Sequence, residues 1–345
     1  MATALTAFRR MQISNAEGTP GTAEAATEIV TGATYTAAYG DKVIHKPEED
    51  RNDLSMNLAN DFIVGEQAQV SIEGRLNSRI FAYLFSNSIN GNLTPYQQDA
   101  GNDPLQYSWD FVPQSQTANT PDIAAGIDTF TIELGDNVQG YEIEYCVAET
   151  ITLTGTGNEP VEYTWEMFGR QVAKTTFTPA LSVVEPQFFV SNLVKFYIGS
   201  TYANIFDTQK TDTLLSWTLT LATGFSPRYP ADGILQFGGV NEAKKMISLE
   251  LEYLRGTNSE AEKDKYDARA TTYLGLELLG ATEIDSGRSN PPRIRIQMAA
   301  RYFEWPEADD NEGAQTVTVT AETVKDATAS KQFQIDTRTE FAAFP

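Results

Sequence analysis

The sequence is dominated by stretches in which apolar and polar residues alternate, and this period of two predicts β-strands. The same period occurs in "VEYTWEMF", "LLSWTLTL" and "RIRIQMAARYF", and turn-forming sequence such as "GDN" and "GTGNEP" separates the runs. In the longest run, one face is expected to carry Tyr141, Ile143, Tyr145, Val147, Ile151 and Leu153, and the other face Glu142, Glu144, Thr150, Thr152 and Thr154. The chain is therefore predicted to be mainly antiparallel β.

Two segments have helical periodicity instead. In "NSRIFAYLFSNSI", Asn77 or Ser78 can cap a helix whose apolar stripe contains Ile80, Tyr83 and Leu84. In "SEAEKDKYDARATTYLGLELLG", Ser259 and Glu262 fit a capping box. The apolar positions Tyr266, Ala270, Tyr273 and Leu274 fall on one helical face. The second helix is therefore predicted to run on to Gly280.

Each of these helices directly follows an alternating strand, "QAQVSIEGRL" in the first case and "KKMISLELEYLRG" in the second. Because this order returns about half a chain later, we predict two tandem β-sandwich or half-barrel modules, each with a flanking α-helix. The modules are expected to span residues 1–180 and 181–345. They meet near "FTPALSVVEPQ", where two prolines interrupt the pattern.

The charge is strongly acidic and unevenly placed. The 345 residues contain 47 Asp and Glu against 25 Lys and Arg, a net charge of −22. Nothing basic occurs between Arg79 and Arg170, although that stretch contains thirteen Asp and Glu residues. Such a surface repels phosphate, which argues against a protein that grips nucleic acid, but passage of DNA without binding remains open. The alternative is that the acids simply keep a monomer soluble.

Catalytic and metal-binding motifs are absent from the sequence. His45, the one histidine, lies in the charged run "KVIHKPEED", and Cys146, the one cysteine, excludes an intrachain disulfide or a cysteine metal cluster. Glu142 and Glu144 point the same way from one strand, about 7 Å apart. They are a possible hydrolase pair, although same-face pairs arise by chance among so many acids. We therefore predict no enzyme activity, no metal and no cofactor.

The opening "RRMQISNAEGTPGTAEAATEIVTG" resembles the start of tail tube proteins from long-tailed (siphovirus-like) bacteriophages, in which a basic alternating segment precedes a Gly-Thr-Ala-rich stretch. The strand-rich sequence, the helix after "QAQVSIEGRL" and a long polar loop are also similar to the tail tube module. The doubled order of elements resembles the longer, double-module members of that family. The resemblance covers nearly the whole chain.

This resemblance implies a structural protein whose modules form rings of six, so that three two-module chains make a trimeric, pseudo-sixfold ring. Stacked rings form a hollow tube around a tape-measure protein. The other partners implied are tail terminator and tail-tip proteins, and double-stranded DNA that passes without specific binding. The protein would belong to the virion tail and would assemble in the host cytoplasm. A β-rich carbohydrate-binding or adhesin-type module is the alternative, and the order of residues in "MATALTAFRRMQ" does not fit the secretory signal that such a module usually has.

Two further expectations follow from the resemblance. The lumen is expected to be acidic, with Glu142 and Glu144 as the lining candidates. Residues 1–28 and the loop from about 90 to 128 are poor in alternating apolar residues, so both are expected to be assembly arms that a neighbouring ring orders. The aromatic residues expected to anchor the loop to that ring are Tyr96, Tyr107, Trp109 and Phe111. The last three form an ordinary strand in the alternative interpretation.

Overall fold

The computed structural model describes residues 6–44, 62–91, 93–97, 99, 101, 103–113, 126–284, 290–311 and 313–344. Strands of the first half are β1 Arg10–Ala16, β2 Ala26–Ile29, β3 Ala33–Ile44, β4 Phe62–Arg75, β5 Tyr107–Phe111, β6 Phe130–Gly135, β7 Gly140–Thr156, β8 Glu162–Gly169 and β9 Val172–Thr175. Strands of the second half are β10 Lys195–Gly199, β11 Gln209–Lys210, β12 Leu214–Ala222, β13 Phe225–Arg228, β14 Gly239–Glu242, β15 Met246–Leu254, β16 Thr272–Leu279, β17 Arg293–Glu304, β18 Asp309–Asn311, β19 Ala314–Thr323 and β20 Phe333–Thr339. The helices are α1 Ile80–Ser88 and α2 Thr257–Asp267, and 3-10 turns cover Thr6–Phe8, Ser191–Leu193 and Tyr202–Asp207. The prediction of a mainly β protein is confirmed.

One antiparallel sheet runs through both halves of the chain, and we call it the central sheet. Its strands lie in the order β3-β4-β8-β7-β12-β15-β19, and the end of β17 pairs with β19 beyond them. The junction between the halves is the β7–β12 ladder, in which Thr156 faces Ser216 and Thr150 faces Ala222.

Each half adds a second sheet across the core from its part of the central sheet. The first flanking sheet has the order β2-β1-β6-β7-β9, because the first part of the long strand β7 belongs to it. The second flanking sheet has the order β11-β10-β16-β17-β20-β5 and so takes one strand, β5, from the first half of the sequence.

The two halves repeat the same strand pairings. In the first half these are β3–β4, β4–β8, β8–β7, β7–β6, β6–β1 and β7–β9. The matching pairings of the second half are β12–β15, β15–β19, β19–β17, β17–β16, β16–β10 and β17–β20. Helix α1 follows β4 and helix α2 follows β15. The module boundary at residue 180 stays a prediction, since the central sheet and one cluster of buried apolar residues both extend across it.

Helix α1 lies inside the core, and all nine of its residues are buried. The N-cap position is Arg79 rather than the predicted Asn77 or Ser78. Asn77 still supports the start of the helix, because its Oδ1 accepts hydrogen bonds from the backbone N–H groups of Arg79 and Ile80 at 2.9 and 3.1 Å. The predicted apolar stripe is buried too, but so is the opposite face, because both halves of the chain pack around this helix.

The second helix is shorter than predicted. It ends at Asp267, Arg269 adopts a left-handed φ of 51°, and the expected helical continuation to Gly280 is instead strand β16. The reason is tertiary: residues 272–279 alternate well enough to pair with β10 on one side and β17 on the other. Ser259 is the third helical residue rather than the cap, and its Oγ accepts a hydrogen bond from the N–H of Gly256.

The faces of β7 also differ from the prediction. The register of β7 is irregular at two places. Its pairing with β6 shifts between Phe130 and Ile132, and its pairing with β8 shifts between Ala148 and Thr150. Near the first shift, Tyr145 has a left-handed φ of 54°. Each extra residue exchanges the two faces of a strand. Tyr145 and Val147 therefore pack in a separate apolar cluster, while Cys146 and Ala148 lie in the main core with Ile143, Ile151 and Leu153.

The expectation that residues 1–28 form an arm is wrong for the described part of that segment. Strand β1 lies between β2 and β6, and Met11 and Ile13 are buried in the main core. The segment is poor in alternating apolar residues, but its few apolar side chains occupy an interior strand. Residues 1–5 lie outside the described residues.

Candidate functional site

The face of the central sheet that points away from the core is the candidate functional surface, and we call it the central polar face. Core positions on these strands alternate with polar ones, as on β15, where Ile247, Leu249 and Leu251 are buried and the residues between them are not. Most outward positions carry threonine, serine or glutamate: Thr34, Thr36, Ser71, Glu73, Thr150, Thr152, Thr154, Thr156, Glu162, Thr164, Glu166, Ser216, Thr218, Thr220, Ser248, Glu250, Glu252, Thr318, Thr320 and Glu322. Ala222 and the exposed Met246 lie beside Thr150 at one end of the same face.

The ladder registers place these side chains in rows across both halves. One row reads Glu73, Thr164, Thr152, Thr220, Ser248 and Glu322, and the next reads Glu162, Thr154, Thr218, Glu250 and Thr320. Four threonines therefore form the middle of the face at the β7–β12 junction, and carboxylates lie on both sides of them. Threonine suits this place because its branched side chain favours a strand and its hydroxyl carries no charge.

Cations lie only at the margins of this face, as far as its side chains are described. Arg75 is the last residue of β4, and Arg301 lies opposite Glu322 on the edge strand β17. Ser216 Oγ donates to Glu252 Oε2 at 2.8 Å, and Asn311 Nδ2 donates to Glu252 Oε1 at 3.2 Å. With six carboxylates against two guanidinium groups, the face has a net negative potential that repels polyanions.

The predicted pair Glu142 and Glu144 lies on a different sheet. Both residues belong to the first part of β7, and Glu142 is opposite Glu133 of β6 and Ala173 of β9 in the first flanking sheet. Two other acids there are buried. Glu17 accepts hydrogen bonds from the N–H groups of Gly21 and Tyr145, both at 2.8 Å, and Glu133 accepts one from the N–H of Thr178 at 2.7 Å.

The environment disfavours ionisation of both predicted residues. Partial burial and the charge of Glu133 raise the pKa of Glu142 above its ordinary value. Burial also raises the pKa of Glu144, with smaller contributions from Glu17 and Glu142, while Arg170 acts in the opposite direction. The structure therefore brings these acids together, away from the central polar face. Their role in a lumen stays a prediction.

The aromatic residues expected to contact a neighbouring ring divide into two groups. Trp109 and Phe111 are 2 % and 0 % exposed in strand β5, which pairs with β20 of the same chain. They are therefore core residues, which corrects the expectation that they anchor to another ring and supports the alternative of an ordinary strand. Tyr107 is half-buried, whereas Tyr96 is 45 % exposed and donates a hydrogen bond to Asp110. Residues 114–125 of the predicted loop lie outside the described residues.

The described residues contain no group of three or more His, Cys, Asp and Glu side chains that can hold a metal ion. Cys146 is fully buried, and burial raises the pKa of its thiol. His45 lies outside the described part of the chain. None of the described helices is both long enough and apolar enough to span a membrane.

The six glutamates of the central polar face were missed from the sequence, although a signal was present. In "VEYTWEMF", the buried residues Tyr163, Trp165 and Met167 alternate with Glu162, Thr164 and Glu166. The buried face of such a strand identifies the opposite face as well. Only the pairing of strands from different halves makes the separate runs into one surface.

A scan against protein-family models and a search of curated proteins found no match to this sequence.

Proposed function

We propose that this chain is a structural protein that assembles into the rings of a bacteriophage tail tube, with the central polar face lining the lumen. The observation that carries the proposal is the continuity of one sheet across two halves with matching strand pairings. A repeated unit that joins its own copy edge to edge can join further copies in the same way.

The β7–β12 ladder inside the chain provides the pattern for closing a ring. In the repeated pairing scheme, β7 corresponds to β17 and β12 corresponds to β3. Among the described residues, β3 pairs only with β4, so its other edge has no strand partner, and residues 301–304 of β17 pair only with β19. In the proposed ring, the β3 edge of one copy meets the end of β17 in the next. Three copies give six equivalent units, and no exposed edge of the central sheet remains.

The chemistry of the central polar face fits a channel for DNA in transit. A wall of hydroxyls and carboxylates with arginines only at its margins offers phosphates few cations to bind, so little of the counterion release that drives DNA binding is available. Under this proposal the two halves contribute equally, since Glu73, Glu162 and Glu166 come from the first and Glu250, Glu252 and Glu322 from the second. The lumen would contain the tape-measure protein during assembly, and the tail terminator and tail-tip proteins would cover the ends. The site of function is the virion tail.

Electron microscopy of the concentrated, purified protein tests this proposal. Rings with three chains and six similar lobes, alone or stacked into tubes, are expected. A protein that stays monomeric at all concentrations, or rings of six full-length chains, would contradict it. Ala37→Pro removes a backbone N–H from the open edge of β3 and should block rings without unfolding the chain. The even-numbered residues of this strand make the hydrogen bonds to β4, as Gly32 O accepts from Arg75 N, and proline is tolerated on an unpaired strand edge.

A further inference from the structure

The segment that connects the two halves fills a gap in the first half. At the end of β4, Leu76 N donates to Val161 O at 2.8 Å, and beyond this bond the strands β4 and β8 separate. Phe189 occupies the space between them: its N–H donates to Leu76 O at 3.0 Å, and its carbonyl accepts from Val161 N at 2.9 Å. Its side chain is 1 % exposed in the main core.

The second half has the same strand ends and the same first hydrogen bond. At the end of β15, Arg255 N donates to Gln315 O at 2.8 Å, as Leu76 does to Val161. Among the described residues, no segment takes the place of Phe189 there. Instead the structure has a groove of about 410 Å³, lined by Arg255, Ser259, Lys263, Trp305, Gln315 and Val317.

The repeated fold identifies the segment that corresponds to the connecting one. A 3-10 turn, Ser191–Leu193, lies just before β10, and Val194 N donates to Ser191 O at 3.1 Å. The turn Thr6–Phe8 lies at the same spacing before β1, and Arg9 N donates to Thr6 O at 3.1 Å. Strands β10 and β1 also hold the same place in their flanking sheets. Phe189 precedes its turn by two residues, so its counterpart is Ala4.

The order of the repeats determines which copy supplies this segment. The groove of the first half receives the residues that lead into the next half of the chain. In a ring, the second half of one copy is followed by the first half of the neighbouring copy. The groove of the second half should therefore receive the residues that lead into the first half of that neighbour. We propose that residues 1–5 of one copy dock in the groove of the second half of its neighbour, with Ala4 between Arg255 O and Gln315 N. This inference rests on the proposed function, because it assumes that copies of the chain adjoin in a ring.

The chemistry of the groove suits this occupant. The side chains of residues 1–5, "MATAL", are smaller than those of "PQFFV" at 186–190. They bring no charged side chain into a groove that contains Arg255, Lys263 and Glu260. Trp305 supplies an apolar wall for the alanine and leucine side chains. The open backbone groups of the groove provide the directional part of the contact, as in peptides that add to a strand edge.

Mixing two single-cysteine variants tests the docking directly. Ala4→Cys and Lys263→Cys chains, incubated together with a short bis-maleimide, should give a crosslinked heterodimer severalfold above background. Asp264→Cys is the matched control for the second partner, because Asp264 is exposed on the same helix but does not line the groove. The native Cys146 is fully buried and should not react. Equal crosslinking of the control would overturn the proposal, and so would a crosslink within one chain of the Ala4→Cys/Lys263→Cys double variant.

A peptide experiment separates this inference from the proposed function. A labelled peptide of residues 1–9 should bind the full-length chain, and Gln315→Pro, which removes the Gln315 N–H, should weaken that binding at least severalfold. If tubes form but neither the crosslink nor peptide binding is seen, the docking is refuted while the proposed function stands. If the peptide binds to a chain that never forms rings or tubes, the groove is a binding site for this segment and the tail tube proposal fails.

Discussion

Trp217 of β12 lies directly opposite Gly155 of β7, in the ladder that joins the two halves of the chain. The indole is 4 % exposed, and a Cβ atom at position 155 would lie 2.6 Å from its Cε2 atom. The absence of a side chain at 155 therefore lets a tryptophan of the second half pack over a strand of the first.

This contact predicts the effect of the smallest possible side chain. We expect Gly155→Ala to destabilise the protein by about 1–3 kcal/mol, because the indole must shift in a closely packed core. Urea unfolding measures the change. Gly157→Ala is the matched control: the nearest atom to its Cβ is a backbone oxygen at 4.0 Å, so a change within about 0.5 kcal/mol is expected. Similar costs for the two variants would contradict the packing described for Trp217.

A second prediction concerns the central polar face. If the proposed function holds, Glu166→Lys with Glu250→Lys in the assembled protein should create binding of short double-stranded DNA that weakens steeply as salt increases, because the new cations would lie where phosphates pass. Fluorescence anisotropy at several salt concentrations measures this binding. Glu185→Lys with Glu283→Lys changes the net charge equally at two exposed residues off this face and should bind much less DNA. Equal binding by the two variants would show that only net charge matters.

The connecting segment should contribute strongly to stability. Phe189→Ala removes a fully buried ring and is expected to cost about 3–5 kcal/mol, as for other large-to-small core substitutions. Val183→Ala, in the same segment but 58 % exposed, should change stability by less than about 0.5 kcal/mol. Thermal or urea unfolding compares them. If Phe189→Ala were no more costly than Val183→Ala, the segment would not hold the ends of β4 and β8 together.

The carboxylates of the first flanking sheet predict a pH dependence. Burial and the charge of Glu133 raise the pKa of Glu142 above its ordinary 4.5, so its ionisation opposes folding at neutral pH. Glu142→Gln should therefore be slightly more stable than the parent at pH 7, by less than about 1 kcal/mol because solvent screens this half-exposed group. The difference should vanish as the pH falls through the raised pKa to below 4.5. Unfolding measured from pH 7 to pH 4 follows this change.

The pKa of Glu277 is shifted in the opposite direction to that of Glu142, so it predicts the opposite dependence of stability on pH. Burial alone would raise its pKa, but the hydrogen bond and charge of Arg295, with Tyr197 and Lys195 nearby, lower it below 4.5. Its ionised form therefore stabilises the fold above pH 4.5, and this contribution is lost as the pH falls through the lowered pKa. Glu277→Gln should be less stable than the parent at pH 7. In acid, both Glu142→Gln and Glu277→Gln should become as stable as the parent. If both variants were more stable than the parent at pH 7, or both less stable, this assignment of charges would be ruled out.

Local sequence signals were sufficient for the strongly alternating strands, although not for β1, and for the start of α1. In "VEYTWEMF" and "LLSWTLTL", the alternation puts Trp165 and Trp217 at apolar positions, and both side chains are buried. Asn77 accepts hydrogen bonds from the backbone N–H groups at the start of α1. These features depend on neighbours within a few residues, so the sequence pattern contains them.

The end of α2 and the faces of β7 depend on partners that are distant in the chain. Nothing near Ala270 shows that the next residues will lie between β10 and β17, and the bulge at Tyr145 is visible only once β6 is in register. The central polar face was missed for a similar reason. Strands β4, β7, β8, β12 and β15 lie in runs that were predicted to alternate between apolar and polar residues, but their order in one sheet is a property of the whole fold.

The second flanking sheet takes its edge strand β5 from the first half of the sequence, and this has a consequence for synthesis. Trp109 donates to the carbonyl of Phe341, which lies 232 residues later in the chain, and Phe344 packs on Tyr83, Trp109 and Phe130. A nascent chain that has emerged only to β9 therefore cannot cover this part of its own interior. Contacts between such distant residues form late. Under the proposed function, ribosome-bound chains should thus remain unable to join rings until the segment from β20 to Phe344 has been translated, which would protect a growing tube from incorporating unfinished subunits.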